Sequence, residues 1–275
     1  MPNYFTHLQF GGRVLAALPE PLRTRIEAQR ADFDVGCYGP DPLFFYHLHH
    51  DNPVRHVGLR MHKVSALPVF RRLARIISED RPGSAGYAAG FLCHFALDTG
   101  CHGYIEERAA GGQASHLRME GEYDRVLMER AGIDPLRQTP MPKHRLHPQE
   151  TETIALIYPG VTGRQFRESL ESYRRVCKFQ TLACRVGLSG AVDALSLRTP
   201  DKPDFRGAVL SRRAAGECAV SSTVLDGLVD RAVPIAVEKI ILIFRAAAGE
   251  AGLDSWFARD FSGNRCGKPV ENVEN

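Results

Sequence analysis

The chain has 275 residues, 44% hydrophobic and 24% charged, with a formal net charge of +3. That is ordinary globular composition, and the near-neutral balance excludes the strongly basic footprint of a nucleic-acid binder. No apolar run is long enough to span a membrane, the start at Met1-Pro2 shows no signal-peptide pattern, and the seven scattered cysteines form no CxxC pair, so a cytoplasmic protein with reduced thiols is expected.

The segments read mainly as helices, because apolar residues recur at three- and four-residue steps and no convincing alternating strand is found. After His7, the turn residues of Gly36–Pro42 signal a loop, and Asn52-Pro53 signals another. Between them and just beyond, His47, His49, His50 and His56 lie in a polar connection and read as solvated or supporting residues. His50-Asp51 imitates a phosphohydrolase His-Asp pair, but nothing makes that stretch a buried helix. Val69, Phe70, Leu73, Ile76 and Ile77 form an amphipathic stripe ended by Arg81-Pro82-Gly83.

Gly86–Asp98 then reads GYAAGFLCHFALD, apolar or small at every position except Tyr87, His94 and Asp98. A helix that is apolar all round is buried, and buried polar groups need partners. Four residues advance a helix by about 6 Å, so His94 and Asp98 share one face. An internal hydrogen bond and metal binding are both open readings of that pair alone. His102 follows at the same step, although Gly100 and Gly103 are expected to break the helix near there. Gly111-Gly112 marks a loop, and Ser115–Glu120 supplies a second His-x-x-x-acid pair, His116 and Glu120, on another amphipathic helix. Imidazole and carboxylate without thiolate suit zinc at a hydrolytic site. His94 and His102 would lie about 12 Å apart along a continuous axis, too far for one ion, while Asp98 between them has two oxygens and could serve two. Asp124, a turn past Glu120, reads as a surface or supporting acid, and Cys93 and Cys101 as small core residues.

All eleven histidines fall between His7 and His147, so the chemistry belongs to the first half. His144 and His147 lie in a Pro-rich loop. Phe166, Leu170, Tyr173, Cys177 and Cys184 form another helical stripe, Thr199–Pro203 a loop, and Thr223–Ala248 a long apolar helix in which Pro234 is expected to mark a kink or a new start. The whole reads as an all-α protein of roughly nine helices. One domain is expected over residues 1–262, with the ligands in 1–130 and helical scaffold after, and a polar tail over 263–275.

The ordered set Phe5-Thr6-His7, Gly36–Asp41, Met61-His62, His94-x-x-x-Asp98, His102 and His116-x-x-x-Glu120 resembles the zinc-dependent phospholipase C family, whose helical fold is shared with single-strand-specific zinc nucleases. The resemblance is strongest over residues 1–130. It implies zinc as cofactor, two ions with a possible third. One would be held by His102, His116 and Glu120, a second by Asp41, His62, His94 and Asp98, and a third between Asp98 and His7. It also implies Asp41 as candidate general base and a metal-activated hydroxide attacking a phosphate ester, with phospholipid among the candidate substrates. In secreted relatives, signal cleavage exposes a tryptophan whose amine completes the third site. Here Met1-Pro2 stands instead, so His7 is expected to contribute its side chain and the terminal amine nothing. The rival readings are a zinc nuclease, a metal-stabilised binding module and a His50-Asp51 hydrolase.

Overall fold

The computed structural model describes residues 4–197 and 206–266. Eleven α-helices, and no strand, occur among them: α1 (Tyr4–Ala17), α2 (Leu22–Glu27), α3 (Arg30–Gly36), α4 (Pro53–Met61), α5 (Leu67–Ser78), α6 (Ser84–Ala110), α7 (His116–Arg130), α8 (Pro148–Ala155), α9 (Gly163–Val186), α10 (Ser189–Leu197) and α11 (Ala219–Ala247). The all-α expectation holds. The count exceeds the nine or so anticipated because α2, α3, α8 and α10 span at most nine residues each, too few for a periodic stripe to show. None of the described helices is long and apolar enough to cross a membrane.

Local chemistry sets the helix ends. Asn52 accepts a hydrogen bond from the Arg55 N–H and Pro53 takes the first helical position, so the pair anticipated as a loop opens α4 instead. Ser115 caps α7 and Thr162 caps α9, the latter in a reciprocal box with Gln165. The stripes expected on α5 and α9 are buried as read, from Val69 to Ile77 and from Phe166 to Cys184. Pro234 neither ends nor restarts α11, which runs through it. The Thr199–Pro203 loop lies outside the described residues.

The centre of the molecule is α6. Every residue from Ser84 to Asp98 is buried, as the all-round apolar run demanded. The helix does not break at Gly100 or Gly103 but continues to Ala110. Helical glycine costs about 1 kcal/mol per residue, which the packing of α3, α5 and α11 around this helix offsets. One hydrophobic core extends from Tyr4 to Phe261, with a small satellite at Ala183, Cys184 and Val209. Beyond α11 the chain folds back: Ala66 N–H donates to the Arg259 carbonyl, and Phe261 N–H to the His62 carbonyl. Gly263 and Asn264 are hydrogen-bonded to Asp260, and the rest of the anticipated tail, from 267, lies outside the described residues.

Candidate metal centre

Five elements deliver the eight candidate ligands. His7 comes from α1, Asp41 opens a 3-10 turn (Asp41–Phe45), and His62 follows the last residue of α4. His94, Asp98 and His102 come from successive turns of α6, and His116 and Glu120 from the first turns of α7. The α3–α6 contact fixes this arrangement through backbone rather than side chains. A Cβ on Gly90 would stand 2.1 Å from the Phe33 carbonyl oxygen, and one on Gly36 would stand 2.4 Å from that of Tyr87. Beyond α3 the chain turns through Gly39 at φ +54°, where a Cβ would fall 2.3 Å from the His94 ring. Only glycine leaves that ring its place.

The side chains converge on Asp98. Its Oδ2 lies 3.1 Å from His94 Nε2, while Oδ1 lies 3.3 Å from His7 Nε2 and 3.4 Å from His102 Nε2. Glu120 Oε1 lies 3.0 Å from His116 Nε2 and 3.4 Å from His102 Nε2. Asp41 Oδ1 lies 3.1 Å from His62 Nε2 and 3.8 Å from His94 Nε2. Three groups result whose donor atoms all fall within 4.8 Å of one another: His7, Asp41 and His94; His62, His94 and Asp98; His102, His116 and Glu120. His94 and His102 fall into different groups, as the helical rise required.

Two of the imidazoles are held by backbone carbonyls: His62 Nδ1 stands 2.9 Å from the Gly58 oxygen, and His94 Nδ1 stands 3.2 Å from that of Cys37. A carbonyl only accepts, so each Nδ1 carries a hydrogen and Nε2 is the nitrogen that faces the carboxylates. His94 Nε2, Asp41 Oδ1 and His7 Nδ1 are buried with no hydrogen-bond partner among the described residues. Orphaned, convergent and oxygen-nitrogen in character, this donor set fits zinc.

The charge balance points the same way. Burial lowers the His7 pKa to about 4, the neighbouring His94 charge adds to that, and the ring is neutral at pH 7 despite facing Asp98. Burial also works against a charged His102, but Asp98 and Glu120 outweigh it and lift the pKa to about 9; Asp98 and Asp41 raise His94 in the same sense. Burial would raise Asp98, yet His102, His94 and His7 hold it well below the usual carboxylate range, and Glu120 is lowered likewise, first by His116. The carboxylates thus demand positive charge in their midst, which a proton supplies on His102 and a divalent cation could supply instead.

Around these groups opens a cleft of about 260 Å³. Its walls include Phe44, Lys63, Leu117 and Phe261, none of which shows any motif in the sequence. Phe261, from the segment after α11, packs its ring 4.5 Å from that of His62 and 5.8 Å from that of His94. Of the two readings of Asp124, surface or supporting, the supporting one holds. The residue is buried, accepts hydrogen bonds from Phe5 N, Thr6 N and Thr6 Oγ1, and so anchors the turn of α1 that carries His7. His47, His49, His50 and His56 are exposed and join none of the three groups, and Asp51 pairs with His56 at 2.7 Å. Cys93 and Cys101 are buried. His144 bonds Asp34 at 2.7 Å and His147 caps α8.

A family model described as zinc-dependent phospholipase C matches residues 6–167, a stretch that contains all eight candidate ligands but not Phe261. No curated protein and no solved structure matches the chain.

Proposed function

Because the chain belongs to the zinc-dependent phospholipase C family, we propose that the cleft binds zinc through His7, Asp41, His62, His94, Asp98, His102, His116 and Glu120 and hydrolyses a phosphodiester, phospholipid being the first class to test. The observation that carries this reading is the convergence of three His/carboxylate groups on one cleft, with Asp98 facing His94 through one oxygen and His7 and His102 through the other. His102, His116 and Glu120 would hold one ion, and Asp41, His62, His94 and Asp98 a second. His7, beside Asp98 and grouped with Asp41 and His94, would hold a third.

Zinc, when bound, supplies Lewis-acid charge beside the phosphoryl oxygens. The chain's own groups do the rest. Asp41 accepts the proton of the attacking water at its carboxylate. Lys63 on the cleft wall attracts the phosphate charge, and Phe44, Leu117 and Phe261 exclude bulk water and so strengthen every charge interaction inside. The carbonyl-held His62 and His94 rings keep their nitrogens aimed without reorganisation.

The test is elemental analysis of protein never exposed to chelator, then a panel of lipid, nucleotide and nitrophenyl phosphodiesters. At least two zinc ions per chain and hydrolysis of a panel member, lost in Asp98→Asn, are expected. Fewer than two ions would overturn the ligand sets. Full zinc without hydrolysis would leave a metal-stabilised binding module, and cleavage of single-stranded DNA alone would make the protein a nuclease.

A further inference from the structure

A second polar cavity, of about 370 Å³, lies between α9 and the segment leading into α8, and it shares no lining residue with the metal cleft. Arg167 and Arg174 reach it from positions seven apart on α9, two turns along one face, and Arg145 reaches it from the segment before α8. Glu171, on the same face, is the one acidic residue lining it, and His144, also in the wall, is already engaged with Asp34. Three guanidiniums against one carboxylate leave the lining with a net charge of about +2.

What separates this cavity from an ordinary basic surface is the state of its donors. Arg174 Nε and Nη2, the two nitrogens of one fork edge, are both buried and both without a hydrogen-bond acceptor among the described residues. Arg167 donates through Nη2 to Thr151 Oγ1 at 3.3 Å, which fixes the side chain, while its buried Nε is left without an acceptor. A buried N–H left unmade costs about 1–3 kcal/mol, more on a charged group, and the described residues provide no acceptor for these three arginine nitrogens.

We propose that this cavity binds a phosphate group, as orthophosphate or a soluble phosphomonoester, in the fork of Arg174 with Arg167 and Arg145 closing the charge. A dianion matches the +2 lining, and the planar fork matches two phosphate oxygens. The burial of the fork favours a small soluble ligand over a headgroup held in a bilayer. The proposal stands apart from the metal reading, since it uses none of the candidate zinc ligands.

The experiment is calorimetric titration of the full chain with orthophosphate and with glycerol 3-phosphate at fixed ionic strength, in wild type, Arg174→Gln, Arg174→Lys and Asp98→Asn. Arg174→Gln should weaken phosphate binding at least about tenfold. Arg174→Lys should also weaken it, because charge without the fork is insufficient, while Asp98→Asn should retain it. If Arg174→Gln does not fold, Arg145→Gln at the exposed rim must weaken binding in its place. Absence of binding in wild type, or binding lost in Asp98→Asn and intact in the arginine variants, would overturn the site. So would Arg174-dependent sedimentation with phosphatidic acid vesicles when neither soluble phosphate binds.

Discussion

The two longest helices, α6 and α11, pack against each other and are both rich in apolar residues, yet they use them differently. Along α6 the first fifteen residues are buried on every side, and glycines bring its backbone against that of α3. Along α11 only one face is buried, through Leu225, Val229, Ala232, Ala236, Ile240 and Ile243, while Val220 and Ile235 remain 65% and 40% exposed. The first helix carries three candidate ligands and the second carries none. Groups that must hold a position to within about 0.5 Å sit where backbone meets backbone, which cannot slide. A supporting helix needs only volume and an amphipathic face.

Substitutions can break that contrast at several depths. The deepest is Asp98→Asn, which should lower zinc affinity beyond the 10–100-fold typical of losing a supporting residue and abolish activity, with a larger loss of metal than His62→Ala gives. Equal losses would reduce Asp98 to an ordinary ligand. Removing zinc by chelation should lower the melting temperature by about 10 °C, since ion at a thousandfold excess over its Kd stabilises by about 4 kcal/mol. An unchanged melting curve would show that the buried carboxylates are content with protons.

A paired comparison probes the helices themselves. Gly90→Ala drives a Cβ into the Phe33 carbonyl and should destabilise by about 3 kcal/mol while also lowering zinc content. Ile240→Ala on α11 should destabilise by about 2–5 kcal/mol yet leave the zinc content of the folded fraction intact. Metal loss in both variants would erase the distinction drawn here. The gentlest probe is Asp32, buried against the first turn of α6, with Oδ1 lacking a hydrogen-bond partner among the described residues. Burial, with Glu150 adding to it, raises its pKa to about 7. A raised carboxyl pKa contributes stability that is complete below the unfolded value near 4 and is lost as pH climbs to about 7. Asp32→Asn should therefore gain about 2 kcal/mol on wild type at pH 8 and nothing at pH 4, measured by denaturant titration. A loss at pH 8 would mean that the helix terminus favours the carboxylate more than burial opposes it.

Much of this was written in residue order. Part of the candidate ligand set was legible in spacing, which places His94, Asp98 and His102 on one side of a helix and His116 with Glu120 on another, while His7, Asp41 and His62 came from the family resemblance. The Gly100 and Gly103 break failed as an expectation because propensity yields to tertiary packing. The sequence left Asp124 open between a surface and a supporting acid, because a carboxylate's burial depends on what docks above it, here the start of α1, 118 residues away along the chain. Phe261 and the arginine cavity left no signal at all. Neither has a period or a motif, and each exists only where distant segments meet.

Phe261 also sets an order of events. It completes the cleft wall from about 140 residues beyond Glu120, the last candidate ligand. At the 5–20 residues per second of protein synthesis, all eight candidate ligands leave the ribosome about 7–28 seconds before the ring that covers His62. During that interval the nascent histidines and carboxylates stand without the ring that later walls them in.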